Sequence, residues 1–226
     1  MDENSPTNND PNQQLVISYL TLRKAVGVLG ILLPVVMAIG LPVLSKCICI
    51  QDSISDYYYT KMGNFMVGTL CAVGLFLFSY KGYGRRDTIA SKLACVFAIG
   101  VAFFPTSGPD SSSICNFIHR NSSSFVSSVH DVSAALFFLT LAYFSLFLFT
   151  KSSGNPTKQK LTRNKIYKVC GYTILLCILL LFLYFKIPWL QSGLKDYKPV
   201  FILETIALWA FGFSWLTKGE FILKDE

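Results

Sequence analysis

VGVLGILLPVVMAIGLPVL, residues 26–44, holds 19 consecutive positions without a charged side chain. A helix needs roughly 20 mainly apolar residues to cross about 30 Å of hydrocarbon. Five further apolar runs of similar length follow, interrupted only by Lys92 in the third and Glu204 in the sixth. The sequence therefore predicts membrane spans at about residues 26–44, 62–80, 88–104, 132–150, 169–185 and 200–216.

The composition supports a lipid environment. Hydrophobic residues make up 52% of the 226 positions and charged residues only 15%, whereas a soluble domain carries roughly 25% charged residues. We therefore expect an all-α, polytopic integral membrane protein built as a six-transmembrane-helix bundle. No nucleic-acid motif accompanies the net charge of +7, so the expected partners are membrane lipids and not nucleic acid.

The basic residues predict the orientation of the bundle. Fourteen of the 20 lysines and arginines lie before the first span, in 81–92, in 151–168 or after the sixth span. Basic residues concentrate on the cytoplasmic side of membrane proteins, so both termini are expected in the cytoplasm. We expect a disordered tail over 1–14, one membrane domain over 15–220 and a short C-terminal tail over 221–226.

A cluster of polar residues lies at the ends of the predicted spans that are far from the basic loops. SISDYYYT, residues 53–60, precedes the second span, and the fourth and sixth spans bring further polar groups to the same side. These residues predict a water-accessible pocket for a ligand; the candidates are Ser53, Ser55, Asp56, Tyr58, His130, Asp131 and Glu204. Helix capping is the alternative role of the serines and Asp56, and anchoring at the membrane interface is that of the tyrosines. Three consecutive tyrosines at about 100° per helical residue predict that at least one faces the bundle.

Glu204 is the residue that most strongly indicates a polar site inside the bundle. A carboxylate within a span costs at least about 2.5 kcal/mol, so such a residue faces the bundle interior. It either binds a ligand, proton or metal or accepts a structural hydrogen bond. Asp131 suits the first turn of a helix, and His130 is an interfacial residue, a metal ligand or a general base. Glu204, His130 and Asp131 are the candidate ligands of a zinc ion, although no HxxxH or HExxH motif is present.

The cysteines divide by predicted depth. Four lie within spans and are expected to be small apolar packing residues: Cys71, Cys95, Cys170 and Cys177. Three lie on the outer side. In an oxidising compartment, either Cys47 or Cys49 is expected to form a disulfide with Cys115.

Several segments resemble a group of uncharacterised bacterial six-span membrane proteins that is similar to the Frag1/DRAM/Sfk-like proteins. The resemblance rests on SISDYYYT (53–60), GNFMVGTLCAVGLFLFSYKGYGRRD (63–87), FAIGVAFFPT (97–106), HDVSAALFFLTLAYFSLFLF (130–149) and ETIALWAFGFSWLTKGE (204–220). It implies the same six-span topology and a multi-pass location in a bacterial inner membrane. It implies no particular activity.

The chain is more distantly similar to the alkaline ceramidase-like membrane hydrolases, which hold zinc with serine, aspartate and histidines. That resemblance implies matching roles for Ser53 or Ser55, for Asp56 or Asp131, and for His130. The sixth span offers Glu204 in place of paired histidines.

Three functions follow as hypotheses. The first is a membrane protein whose outward-facing polar pocket binds a lipid headgroup or a small amphipathic ligand. The second is a metal-dependent lipid hydrolase with Glu204, His130 and an aspartate at the metal. The third is a proton- or ion-coupled transporter that uses Glu204 as its carrier.

Overall fold

The computed structural model describes residues 11–45, 48–80, 82, 84–108, 122–152 and 154–223, with side chains described from residue 19. The helices of this described part are α1 (Pro11–Ser45), α2 (Gly63–Ser79), α3 (Arg85–Phe103), α4 (Ser124–Tyr143), α5 (Lys158–Lys186), α6 (Pro188–Leu194) and α7 (Pro199–Lys218). 3-10 turns lie at Ser55–Tyr59 and Lys195–Tyr197, and a π-helical turn at Phe144–Leu148 continues α4. The described residues are thus helical or in loops, which confirms the predicted all-α class.

The long helices pack side by side in a closed ring. In chain order, α1 packs on α2, α2 on α3, α3 on α4 and α4 on α5. α5 then packs on α7, and α7 returns to α1. Helices that neighbour each other in sequence thus neighbour each other in space, as expected where connections are short. One end of the ring, the SISDYYYT end, carries residues 53–60 and the start of α7. The other, the basic end, carries the start of α5 and the end of α7.

Four helical segments of the described chain are long and apolar enough to cross a membrane, namely Tyr19–Ser45, Ser124–Leu148, Lys158–Lys186 and Pro199–Lys218. These apolar helices indicate a membrane protein. Gly63–Ser79 is apolar but shorter, and α3 begins with the charged residues Arg85, Arg86 and Asp87. A count of six spans and a cytoplasmic location of the termini stay predictions.

Helix boundaries extend beyond the apolar runs. α1 begins at Pro11 and continues through Pro34 and Pro42 to Ser45, so the helix starts within the tail predicted over 1–14. α5 begins at Lys158, eleven residues before the predicted span, with the Thr157 side chain accepting the Lys160 N–H at its N-cap. Hydropathy reports where a helix meets lipid, whereas capping and charge decide where it starts.

Glycines bring α1 and α7 close together. A Cβ atom on Gly212 would lie 2.7 Å from the Gly27 carbonyl oxygen and 2.5 Å from Ile31. The reciprocal Cβ on Gly27 would lie 2.8 Å from the Gly212 carbonyl oxygen. Glycine at both positions therefore permits a helix approach that any side chain would block.

Two groups of buried side chains fill the ring. At the basic end, Trp215 contacts several rings, with centroids 5.1 Å from Tyr80 and 5.2 Å from Phe149. A second cluster lies under SISDYYYT and includes Tyr57, Met37 and Met62. The second cluster positions the 53–60 segment, and the candidate site is built on it.

Candidate functional site

The segment before α2 is tied to the start of α7. The Asp52 carbonyl accepts the Phe201 N–H at 2.9 Å, and Lys198 forms an ion pair with the Asp52 carboxylate. The Ser53 hydroxyl accepts the Asp56 N–H at 3.0 Å, so a serine satisfies a backbone N–H at the start of the short helical turn. These contacts hold residues 52–56 against α7 although about 150 residues separate them in sequence.

The three tyrosines of SISDYYYT have different environments. Tyr57 and Tyr59 are buried, and the Tyr59 hydroxyl donates to the Thr106 carbonyl oxygen at 2.5 Å. Tyr58 is half-buried and packs edge-to-face on Tyr59 with centroids 5.4 Å apart. The expectation that at least one tyrosine faces the bundle is confirmed. Tyr57 and Tyr59 fasten the segment to the bundle, and Tyr58 lies towards its surface.

Ser55 and His130 form a buried pair. His130 lies in the second turn of α4, and its Nε2 is 2.8 Å from the Ser55 hydroxyl oxygen. Its Nδ1 is 2.6 Å from the carbonyl oxygen of Phe104. A carbonyl oxygen only accepts, so Nδ1 carries a proton, and in a neutral imidazole Nε2 accepts the Ser55 hydroxyl proton. The arrangement is the one in which a histidine can act as base towards a serine.

Glu204 lies in the second turn of α7 and points at the same segment. Its Oε2 atom accepts the Ile54 N–H at 2.7 Å. Ser55 and Glu204 also line a small cavity of about 40 Å³ whose other walls are apolar. A cavity of this size has room for a water molecule. The expectation that Glu204 faces the bundle interior and finds a partner is therefore confirmed, with a backbone N–H as that partner.

The three candidate zinc ligands do not converge. His130 is buried with both ring nitrogens engaged, whereas Asp131, one position along α4, is exposed. Within the described ranges, no group of three or more His, Cys, Asp and Glu side chains has the geometry of a metal site. Glu204, His130 and Asp131 thus lie near one end of the bundle without forming a joint ligand set.

A larger cavity of about 590 Å³ opens between SISDYYYT, α5, α6 and the start of α7; we name it the rim cavity. Its walls carry both charge signs, hydroxyl and amide groups, and apolar side chains, including Asp52, Asp56, Lys195, Lys198, Gln191, Tyr184 and Phe185. Burial raises the pKa of the Asp56 carboxyl from 3.8 to about 6; the Ser53 hydrogen bond opposes the rise and the Asp52 charge adds to it. Asp56 therefore titrates at mildly acidic pH.

Ser53 and Asp56 are the two candidates that line the rim cavity. Ser55 and Glu204 instead line the small cavity of about 40 Å³. Sequence reasoning missed Lys195, Lys198 and Gln191, because they lie in the connection between the fifth and sixth apolar runs and belong to no motif. Pro188 at the first turn of α6 was the signal for a helix there, since proline favours that position.

Cys71, Cys95, Cys170 and Cys177 are free, as expected of apolar packing residues. Cys49 takes part in a disulfide, and its partner lies outside the described residues. Residues 47 and 115 also lie outside them, so the pairing of Cys47 or Cys49 with Cys115 stays a prediction.

Comparison of the chain with family models, with curated proteins and with solved structures gives no match. The function must therefore be inferred from the geometry of the site.

Proposed function

We propose that this chain is an integral membrane protein that binds the headgroup of a lipid, or of a similar small amphipathic molecule, in the rim cavity. The observation that carries the proposal is the mixed lining of that cavity. Ligand pockets combine apolar walls with a few polar groups that fix the orientation of the ligand, and the rim cavity has both.

The charges of the lining suit a zwitterionic headgroup. Lys195 and Lys198 offer cations to a phosphate, and Asp52 and Asp56 offer carboxylates to an ammonium group. The Lys198–Asp52 ion pair joins one cation to one carboxylate across the cavity wall. A ligand that carries both signs can place its phosphate near the lysines and its ammonium group near the carboxylates, so that each charge faces one of opposite sign.

Three exposed aromatic side chains lie at, or next in sequence to, residues that line the rim cavity, and we call them the collar. Trp189 on α6 and Tyr197 are each 71% exposed, and Phe185 at the end of α5 is also exposed. Tryptophan and tyrosine concentrate where a membrane protein meets the lipid headgroups. This collar supports a ligand whose polar part enters the cavity while its apolar chains stay in the surrounding lipid.

The proposal is tested by native mass spectrometry of the delipidated full chain with dihexanoyl phosphatidylcholine as the probe. Saturable binding is expected. Lys195→Gln should weaken it by roughly fivefold, the effect of losing a partly exposed charge contact. The matched control is Lys186→Gln, an exposed lysine outside the lining, which should leave the affinity unchanged. Binding that does not saturate, or that responds equally to both variants, would contradict the proposal.

A second candidate function is supported by the Ser55–His130 pair. In this candidate, the chain hydrolyses a lipid ester. The Ser55 oxygen attacks the ester carbonyl and passes its proton to Nε2 of His130, and the alcohol leaves with that proton. Water then cleaves the acyl group from Ser55 with the same histidine as base. The 2.8 Å separation of the two side chains and the Nδ1 hydrogen bond that orients the ring favour it.

This second candidate has its own test. A fluorophosphonate probe reacts with serines that a base activates. Labelling that is lost in Ser55→Ala and in His130→Gln but kept in Ser53→Ala would support hydrolysis. Absence of labelling in a folded wild-type chain would leave Ser55 and His130 as a structural hydrogen-bonded pair.

A further inference from the structure

The basic end of the bundle holds a cavity of about 480 Å³, and the rim cavity lies at the opposite end. Five of its eleven lining residues are lysine or arginine and one is glutamate. We name it the basic cavity. The cations are Arg23, Lys151, Lys160, Arg163 and Lys218.

Distant parts of the chain supply these five cations. Arg23 comes from α1, Lys151 from the loop after α4, and Lys218 from the last turn of α7. Lys160 and Arg163 lie one turn apart on the first part of α5, and Tyr167 lies one further turn along the same face. Convergence of four separate segments on one cavity is a property of the fold and not of a charged run.

Contacts with aromatic rings and carbonyl oxygens fix the positions of the cations. Lys160 Nζ donates to the Phe149 carbonyl oxygen at 2.7 Å, and Lys218 Nζ lies 5.6 Å from the centroid of the Phe149 ring. Arg23 donates to the Lys218 carbonyl oxygen at 3.4 Å and its guanidinium lies 4.5 Å from the centroid of the Tyr19 ring. A cation held in this way is prepared for a ligand before the ligand arrives.

Burial makes the concentration of positive charge costly. Arg163 and Lys218 are only 7% and 8% exposed, and such side chains are almost never so buried without compensation. Among the described residues, two carboxylates lie against the group. Asp87 contacts Lys151 at 2.7 Å, and Glu220 contacts Arg163 at 4.0 Å. The lining residues themselves carry five cations and one carboxylate, and a cavity lined mainly by one sign of charge attracts ions of the opposite sign.

The first turn of α5 adds to this field. Thr157, its N-cap residue, lines the cavity, so the positive end of the helix dipole lies at the cavity wall. Helix N-termini bind phosphate readily, and arginine presents paired donors that match phosphate oxygens.

We propose that the basic cavity is a binding site for a phosphate group, carried either by an anionic lipid headgroup or by a soluble phosphorylated molecule. The site is separate from the rim cavity and independent of the function proposed for it. Arg163 and Lys218 provide the buried contacts, and Lys151 and Arg23 close the cavity around the anion.

The first arm of the test uses inorganic pyrophosphate at constant ionic strength with the detergent-purified full chain. Pyrophosphate is expected to raise the unfolding temperature of the wild type with a saturating dose response. Arg163→Gln should weaken the apparent affinity by about tenfold, as loss of a charge-assisted contact does. Lys165→Gln removes an exposed lysine from the same helix outside the lining and should leave the affinity within about twofold of wild type.

A second variant covers the case in which Arg163→Gln fails to fold. Asn155 lines the cavity and is exposed, so Asn155→Asp places a negative charge there with little effect on packing. It should also weaken pyrophosphate binding.

The second arm identifies the source of the phosphate by native mass spectrometry with dioleoyl phosphatidylglycerol. Retention of this lipid by the wild type but not by Asn155→Asp assigns the site to a lipid headgroup. Pyrophosphate binding without such retention assigns it to a soluble phosphate. A wild type that binds neither probe saturably, or variants that all behave like Lys165→Gln, would overturn the proposal.

Discussion

The Ser55 hydroxyl oxygen lies 2.8 Å from Nε2 of His130 and joins the SISDYYYT segment to α4. The opposite nitrogen of the ring bonds to the Phe104 carbonyl at the end of α3, so one imidazole links three parts of the fold. Removing a buried partner leaves the other group unsatisfied and costs about 1–3 kcal/mol.

From this pair we expect His130→Ala to lower the free energy of unfolding by about 2–3 kcal/mol, since two buried hydrogen bonds are lost. Ser55→Ala should cost less, about 1 kcal/mol, because the Nδ1 bond remains. Chemical denaturation in mild detergent measures both. Ser128→Ala, an exposed serine on the same helix, is the control and should be neutral. Equal stability of His130→Ala and wild type would contradict the described geometry.

Glu204 gives a prediction about what its side chain contributes to stability. Its side chain accepts the Ile54 N–H at 2.7 Å. Glu204→Gln keeps a hydrogen-bond acceptor and should change the free energy of unfolding little. Glu204→Leu leaves the Ile54 N–H without this acceptor and should lower the free energy of unfolding by about 1–3 kcal/mol. Thermal unfolding of both variants checks this. A glutamine variant as unstable as the leucine variant would show that the negative charge itself is needed.

Asp56 predicts a pH dependence. Its pKa is raised from 3.8 to about 6 in the folded state. Between these two pH values, the folded protein therefore keeps the Asp56 proton that the unfolded chain has already released. Raising the pH from about 4 to about 6 therefore destabilises the fold through this group, and the full penalty persists above the folded pKa. Asp56→Asn should raise the unfolding temperature at about pH 7.5 and have much less effect at about pH 4.5. A stabilisation of the same size at both values would show that Asp56 does not titrate as described.

The α1–α7 contact predicts opposite effects of the same substitution at two glycines. A Cβ on Gly212 would meet Ile31 at 2.5 Å and the Gly27 carbonyl at 2.7 Å, while a Cβ on Gly68 would meet nothing within 4 Å. Gly212→Ala should destabilise by about 1–3 kcal/mol through overpacking. Gly68→Ala in α2 should be neutral or stabilise by up to about 1 kcal/mol, as alanine favours a helix. Denaturation midpoints of the two variants measure both effects. Similar losses of stability in Gly212→Ala and Gly68→Ala would contradict a close approach of α1 and α7 at Gly212.

The sequence predicted the helices better than it predicted their ends or the cavities between them. Each apolar run lies largely within one helix, as expected because an uncharged run in lipid must satisfy its backbone internally. The start of α5 at Lys158 was not predicted, because its first turns are polar and their basic residues indicated only the orientation of the bundle in the membrane. Arg23, Arg163 and Lys218 are far apart in sequence, and only the ring of helices brings them to one cavity.

The candidate site was predictable as a region and not as a set of contacts. Alternation of the runs placed Ser55, His130 and Glu204 at one end of the bundle, and the structure brings Ser55 to both of the others. The orientation of α4 about its axis buries His130 and exposes Asp131. A hydropathy pattern does not show which of two adjacent polar residues faces the interior of the bundle. The zinc hypothesis depended on both facing inward.

The central claim, that the rim cavity receives the headgroup of an amphipathic ligand, is tested most directly by photocrosslinking. The probe is a phosphatidylcholine with a diazirine on its headgroup, reconstituted with the full chain, and peptide mapping locates the adducts. The account predicts adducts concentrated in residues 52–56 and 184–200 that are suppressed by excess dihexanoyl phosphatidylcholine. Adducts spread along the exposed face of α5, at residues such as Leu176 and Leu179, without suppression by the competitor, would contradict it.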